Sequence, residues 1–105
     1  MLVVLSTFPS AEKAAEVVRL LVEERLIACA NLLPQVRSIY RWRGAVCDEV
    51  EVLAVMKTTE ARRGELEARL AALHPYETPE IVVLAAEAAA NYAAWVLAET
   101  SRGQV

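Results

Sequence analysis

Two long segments whose side chains alternate with a period of two flank a single glycine, and they limit the folds open to this chain. Residues 30–43 and 46–57 both follow this strand-like pattern, and Gly44 lies between them at a position typical of a tight turn. The pattern predicts a β-hairpin with arms of about 10–12 residues, against a usual strand length of ~5–6. Pro34 cannot donate a ladder hydrogen bond, so it predicts an edge, bend or bulge early in the first arm.

The segments around the hairpin complete an alternation of strands and helices. The predicted elements are a strand at 2–5, an amphipathic helix capped by Ser10 and reaching Leu26, the hairpin, a second helix capped by Thr58 and Thr59, a strand at 80–86 and a short helix at 91–101. This order predicts an α+β protein, the ferredoxin-like split β-α-β sandwich, with two helices on one face of an antiparallel sheet. We expect one domain spanning residues 1–105, of which about 101–105 form a flexible tail.

The hairpin arms are too long for a layer of two helices to cover. Their outer halves carry apolar side chains at Tyr40, Trp42, Val46 and Val50. Hydrophobic residues make up 56% of the chain, above the usual ~45–50%, and a small domain buries only a limited fraction of its surface. Exposed apolar strands pair with other chains, so these four residues are the predicted interface of a ring-like homo-oligomer.

Composition also bears on partners and location. No apolar run approaches the ~20 residues of a membrane-spanning helix, and no basic region precedes Leu2, so we expect neither a membrane partner nor a signal peptide. The net charge of −3 argues against nucleic acid as a partner. Arg37, Arg41 and Arg43 are predicted to share one strand face and to form ion pairs between subunits. The expected location is the cytoplasm.

The segment at 74–80 (HPYETPE) contains the only histidine of the chain and two prolines, which make it a rigid, extended connector. It is either a metal or small-molecule site or a stiff joint between a helix and a strand. As a joint, a protonated His74 would interact favourably with the helix C-terminus. Glu77 and Glu80 are either oxygen ligands or partners of an arginine.

The cysteines and the missing catalytic motifs limit the metal-binding and catalytic functions that the sequence predicts. Cys29 and Cys47 form no CxxC motif and are expected to be reduced. Cys29 is either a small buried apolar residue or a soft-metal ligand, whereas Cys47, beside Asp48 near the hairpin turn, is expected to be exposed. No glycine-rich phosphate loop occurs, and Asp48 is the only aspartate, so an enzyme is not expected.

Several blocks follow one another in a recognisable order. They are residues 25–31 (RLIACAN), Pro34, residues 38–44 (SIYRWRG), 57–59 (KTT), 74–80 (HPYETPE) and 92–95 (YAAW). Together they closely resemble the CutA family of divalent-cation-tolerance proteins, collinearly from Val3 to about Glu99. The resemblance implies a ferredoxin-like protomer in a tight homotrimer, similar to the PII nitrogen-signalling proteins. It also implies a cytoplasmic protein linked to tolerance of copper and other divalent metals.

The resemblance also implies candidate sites. Some members carry a cysteine at the end of the first strand and a second histidine before the His-Pro pair, both proposed as copper ligands. Ser6 and Leu73 stand at those positions here. The remaining candidate metal ligands are His74, Cys29 and Glu77, which would hold copper or zinc weakly. No organic cofactor is expected.

An alternative function follows from the likeness to PII proteins. In this hypothesis the chain is a signalling trimer that binds a small anionic ligand in clefts between subunits. Lys57, Tyr76 and Glu80 are the candidate residues of that cleft.

Overall fold

The structure, a computed structural model, describes residues 1–102, so most of the expected tail lies outside the described residues. Its elements are β1 (Leu2–Phe8), α1 (Ala11–Glu23), β2 (Cys29–Trp42), β3 (Ala45–Thr58), a 3₁₀ turn (Glu60–Arg62), α2 (Arg63–Leu73), β4 (Val82–Ala85) and α3 (Ala90–Glu99). The strands form one antiparallel sheet in the order β2-β3-β1-β4. This confirms the ferredoxin-like prediction.

The β2–β3 hairpin is longer than predicted, with 14 residues in each arm. Its arms meet at a two-residue turn of Arg43 and Gly44, with φ angles of 49° and 81°. Positive φ at both central residues is the geometry that matches the twist of the flanking strands, and glycine adopts it without a steric cost. Regular pairing breaks between Leu33 and Val36, so the irregularity predicted from Pro34 is confirmed on the edge strand β2.

The helices α1 and α2 cover one face of the sheet and enclose the core. Its fully buried members include Val4, Phe8, Val17, Leu21, Ala54, Met56, Leu66 and Leu70. The opposite sheet face carries Leu5, Leu53 and Val55, which are only half-buried, and Val82 and Leu84, which are exposed. One face of the sheet therefore supplies the core, and the other keeps apolar side chains in contact with solvent.

The first helix ends earlier than predicted. Its start is as expected, since Ser10 Oγ accepts a hydrogen bond from the Lys13 amide. It ends at Glu23 rather than Leu26, because Arg25 adopts a φ of 60° and the Leu26 amide donates back to the Leu21 carbonyl. This reversal is the hydrogen-bond pattern of a Schellman motif, which stops a helix. Leu26 continues the apolar pattern and is buried, but it lies beyond the helix end.

The predicted capping role of Thr58 and Thr59 is wrong. Thr58 is the last residue of β3, and its buried hydroxyl donates to the Leu26 carbonyl at 2.7 Å. Thr59 precedes the 3₁₀ turn, and its side chain makes no capping hydrogen bond. Thr58 thus satisfies a carbonyl of the segment that follows α1, which periodicity within residues 57–73 cannot reveal.

The boundaries of β1 and β4 differ because strand pairing, rather than apolar character, sets them. β1 extends to Phe8, since its pairing with β3 continues to Val52. β4 is shorter than predicted, because only Val82–Ala85 pair with β1. The final helix occupies Ala90–Glu99 instead of 91–101.

Thr58→Val should lower the free energy of unfolding by about 1–3 kcal/mol, because it leaves the buried Leu26 carbonyl without a donor. Urea denaturation at a fixed protein concentration measures the change. Thr78→Val, at an exposed position, is the matched control and should change the free energy by no more than about 0.5 kcal/mol. Equal losses in both variants would show that the hydrogen bond of Thr58 does not stabilise the fold.

Candidate functional site

The rigid connector at 74–80 lies beside the part of β3 that extends past β1. β1 ends at Phe8, opposite Val52, and Glu51 is the next residue along β3. The connector approaches this point, where the Tyr76 hydroxyl donates to Glu51 Oε2 at 2.6 Å. The end of β1 and the connector therefore meet near the middle of the long hairpin.

His74 fastens the connector to β1. Its Nδ1 accepts from the Tyr76 amide at 3.2 Å, so Nε2 carries the proton and donates to the Thr7 carbonyl at 2.8 Å. The imidazole stacks on Phe8 with ring centroids 4.4 Å apart. Burial lowers the pKa of His74, so the structure indicates a neutral ring rather than the expected protonated one. Of the two roles that the sequence left open, this geometry is that of a stiff joint.

The three candidate metal ligands lie in different surroundings. Cys29 Sγ is 3.3 Å from the Tyr92 hydroxyl, and Cys29 is half-buried rather than fully buried. Glu77 is exposed and forms an ion pair with Arg43 at 3.1 Å. Within residues 1–102, no group of three or more His, Cys, Asp or Glu side chains is placed to hold a metal ion. A single chain therefore does not bring Cys29, Glu77 and His74 together.

A cleft of about 750 Å³ opens between the hairpin and the connector, and we call it the hairpin cleft. Its lining residues are Thr7, Ser38, Ile39, Tyr40, Trp42, Glu51 and residues 75–80. Two of the predicted ligand-cleft residues, Tyr76 and Glu80, are thus brought together. The third, Lys57, lies near the opposite end of β3 and donates a hydrogen bond to Asn31.

Tyrosine–carboxylate pairs organise the hairpin cleft. The Tyr40 hydroxyl donates to Glu49, and this hydrogen bond raises the pKa of Tyr40 to about 12. Burial, followed by the hydrogen bond to Glu51, raises the pKa of Tyr76 above its usual range. Both phenols are therefore neutral hydrogen-bond donors at physiological pH.

Glu51 is the residue of this cleft that sequence reasoning missed. It is only 9% exposed, although it carries a carboxylate and lies on the half of β3 that extends past β1. The alternation in β3 assigns Glu51 to a polar strand position. No local signal shows that Tyr76, 25 residues further along the chain, closes over it.

The predicted interface residues occupy two faces of the hairpin. Directly paired residues share a face, and Tyr40 pairs with Cys47, whereas Val46 pairs with Arg41. Tyr40 and Trp42 line the hairpin cleft, each 40% exposed, whereas Val46 and Val50 lie on the opposite face and are 66% and 65% exposed. Cys47, expected to be exposed, is half-buried on the cleft side.

The predicted arginine stripe forms only in part, because Arg37 and Arg41 share one strand face and Arg43 does not. Arg37 binds Asp48 through two hydrogen bonds of 2.6 and 2.9 Å within the same chain. Arg43 belongs to the turn, pairs with Glu77, and places its guanidinium 5.4 Å from the ring centroid of Trp42. Two of the three arginines are therefore engaged within the chain, on different sides of the hairpin.

The sheet order, the two helices on one face and the hairpin that extends beyond them define a ferredoxin-like protein of the PII-like class. The sequence model of one family, described as CutA1 divalent ion tolerance protein, matches residues 2–99. This chain belongs to that family.

Individual relatives agree with this assignment. The divalent-cation tolerance protein CutA of Thermus thermophilus is 48% identical over 99 residues, covering 93% of this chain and 96% of its own length. A mutant CutA1 of Pyrococcus horikoshii superposes with a TM-score of 0.92 at 42% identity, covering 97% and 100% of the two chains. The structure described as the PII-like protein CutA of Nostoc sp. PCC 7120 gives a TM-score of 0.89 at 41% identity, covering 96% and 98%.

Two observations concern location. Within residues 1–102, no helix is both long and apolar enough to cross a membrane. One related structure, the CutA of Archaeoglobus fulgidus, is described as periplasmic and is 26% identical to this chain, with a TM-score of 0.91 and coverage of 96% and 100%.

The buried, neutral His74 should make stability depend on pH. The folded-state pKa of His74 is lowered, so the unfolded chain binds a proton near pH ~6.5 while the folded chain does not. The free energy of unfolding should therefore fall as pH decreases from about 7 towards 5. His74→Gln should flatten this dependence, as measured by urea denaturation across that range. An unchanged slope in the variant would contradict the assignment to His74, since the chain has no other histidine.

Proposed function

We propose that this chain forms a homotrimer that acts in divalent-cation tolerance by weak binding of copper or zinc, in the cytoplasm and without catalysing a reaction. The observation that carries this proposal is the match to the divalent ion tolerance family over residues 2–99. The family description specifies tolerance and names no reaction. Cell fractionation of a source strain tests the location, and recovery in the periplasm would contradict it.

The shape of the protomer supports a closed oligomer. The molecule measures 49 × 26 × 22 Å, so the hairpin makes one dimension about twice either of the others. Val46 and Val50 are exposed on one hairpin face, and Tyr40 and Trp42 on the other. A hairpin with apolar residues on both faces suits contact with two neighbours at once, which a cyclic assembly provides and a two-fold dimer does not.

The metal part of the proposal requires ligands from more than one subunit. His74 would have to break its hydrogen bond to Thr7 or to Tyr76 before a ring nitrogen could bind a metal. Cys29 keeps a half-buried thiol, a ligand type that suits soft metals, and Glu77 offers an exposed carboxylate. These groups support weak binding, with neighbouring subunits in the trimer completing the ligand set.

Sedimentation equilibrium should give a mass about three times 11.5 kDa. Val50→Glu should shift the protein towards monomer, because it places a charge on an exposed apolar face of the hairpin. Val22→Glu, at an exposed apolar position on α1, is the matched control and should leave the mass unchanged. A monomeric wild-type protein would refute the trimer.

Calorimetric titration of the metal-free, reduced protein with zinc and copper tests the metal site. Cys29→Ser should weaken binding by about tenfold or more, because it removes a thiolate ligand. Cys47→Ser, at the other half-buried cysteine, should bind as the wild-type protein does. No binding heat in the wild-type protein would refute direct metal binding. Equal affinities of the two variants would remove Cys29 from the ligand set.

A further inference from the structure

The long hairpin changes its structure at one level, that of Val52 on β3. On one side of Val52, β1 ends with Phe8, the residue paired with it. On the other side, the register shifts between Leu33 and Val36, so two residues of β2 lie opposite Val52 alone. Two residues against one is the arrangement of a β-bulge, which interrupts the ladder and bends the strand. The sheet therefore loses one strand and the regular pairing of another at the same point.

The two residues of the bulge are Pro34 and Gln35, and neither belongs to the regular register. Proline has no amide hydrogen to donate to the ladder. Gln35 adopts a φ of 59°, which is uncommon and strained for a residue other than glycine. Backbone strain of this kind persists where the surrounding structure holds it, and switch regions are among the places where it occurs. The bulge is thus a weak point between two regular parts of the hairpin, and we call the part beyond it, residues 36–51, the outer hairpin.

The connector at 74–80 crosses the level of the bulge, from the sheet to the outer hairpin. His74 fastens the start of the connector to β1. Two residues later, the Tyr76 hydroxyl donates at 2.6 Å to Glu51, the first residue of the outer hairpin on β3. Because its acceptor is a carboxylate, this hydrogen bond is stronger than one between neutral groups. The ion pair of Arg43 with Glu77 also crosses, but its side chains are 73% and 71% exposed, so it contributes little.

We propose that the outer hairpin is hinged at Pro34 and Gln35, and that the hydrogen bond between Tyr76 and Glu51 is the latch that fixes its angle. When the latch opens, the ribbon bends at the bulge, since within residues 1–102 no third strand pairs with it. The outer hairpin carries the predicted interface residues, so its angle determines how it meets a neighbouring subunit. This last step rests on the proposed trimer, whereas the hinge is a property of one chain.

Tyr76→Phe tests the latch, because it removes the hydroxyl and keeps the ring. Amide hydrogen exchange of the full chain should become about tenfold or more faster across residues 36–51, while β1 and residues 53–58 keep their wild-type rates. Tyr92→Phe, which removes a hydroxyl that contacts Cys29 at the other end of β2, is the matched control and should change neither set. The proteins are compared at a concentration at which sedimentation gives them the same mass. Equal acceleration of both sets in Tyr76→Phe, or of neither, would overturn the proposal.

Two substitutions at Gln35 test the hinge. Glycine adopts a positive φ without steric cost, whereas a β-branched residue is severely disfavoured there. Gln35→Gly should therefore keep the exchange of the outer hairpin within about twofold of the wild-type rate. Gln35→Val should accelerate it by about tenfold or more and leave residues 53–58 unchanged. Equal rates in the two variants would show that Gln35 is not held in the strained conformation, and would overturn the hinge.

Sedimentation at a series of concentrations tests the step from the latch to assembly. Tyr76→Phe should raise the concentration at which the trimer dissociates by about tenfold or more, because an outer hairpin that is free to bend loses more entropy on docking. Gln35→Gly keeps the latch and should dissociate as the wild-type protein does. Unchanged dissociation of Tyr76→Phe, with faster exchange of its outer hairpin, would overturn the link to assembly. A monomeric wild-type protein would refute the proposed trimer, whereas the exchange rates would still decide the hinge.

Discussion

The pairing of β1 with β3 stops at Phe8, and the shape of the molecule follows from that stop. β1 contributes seven residues to a ladder whose other strand has 14, so half of β3 has no neighbour on that side. Pro9 follows directly, and a proline cannot donate the next ladder hydrogen bond. The outer half of the hairpin is thus a two-stranded ribbon, a form that is only marginally stable on its own in water.

The connector at 74–80 contacts the sheet at the point where the pairing of β1 with β3 ends. The His74 ring binds the Thr7 carbonyl next to the end of β1, and Tyr76 reaches Glu51 on the first part of β3 that lacks β1. Because both contacts come from one rigid, proline-bounded segment, they position its remaining residues along the hairpin. The hairpin cleft is the space that results. The same segment is therefore a structural joint and a wall of the hairpin cleft, whereas the sequence presents a joint and a site as alternatives.

Local pattern was sufficient for the elements and their order, because the periods of two and 3.6 and the turn at Gly44 are properties of neighbouring residues. The ends of the elements depend on distant partners and were harder to predict. Thr58 resembles a helix cap in sequence, but it pairs with Leu2 at the end of β3 and donates to the Leu26 carbonyl, 32 residues away. The candidate site was predicted only in part. His74, Tyr76 and Glu80 are evident in a dense motif, whereas the contribution of Glu51 requires knowing where the connector crosses the hairpin.

A tightly held metal needs several ligands around one point, and within residues 1–102 one protomer offers no such cluster, so its site depends on assembly. The hairpin cleft depends on assembly as well. Tyr40 and Trp42 line it and are exposed in one chain, and both are predicted interface residues. A neighbour packed on this face would cover them and bring its own side chains beside Glu51 and the connector. The trimer contacts that would complete a metal site would therefore also set how much of the cleft stays open.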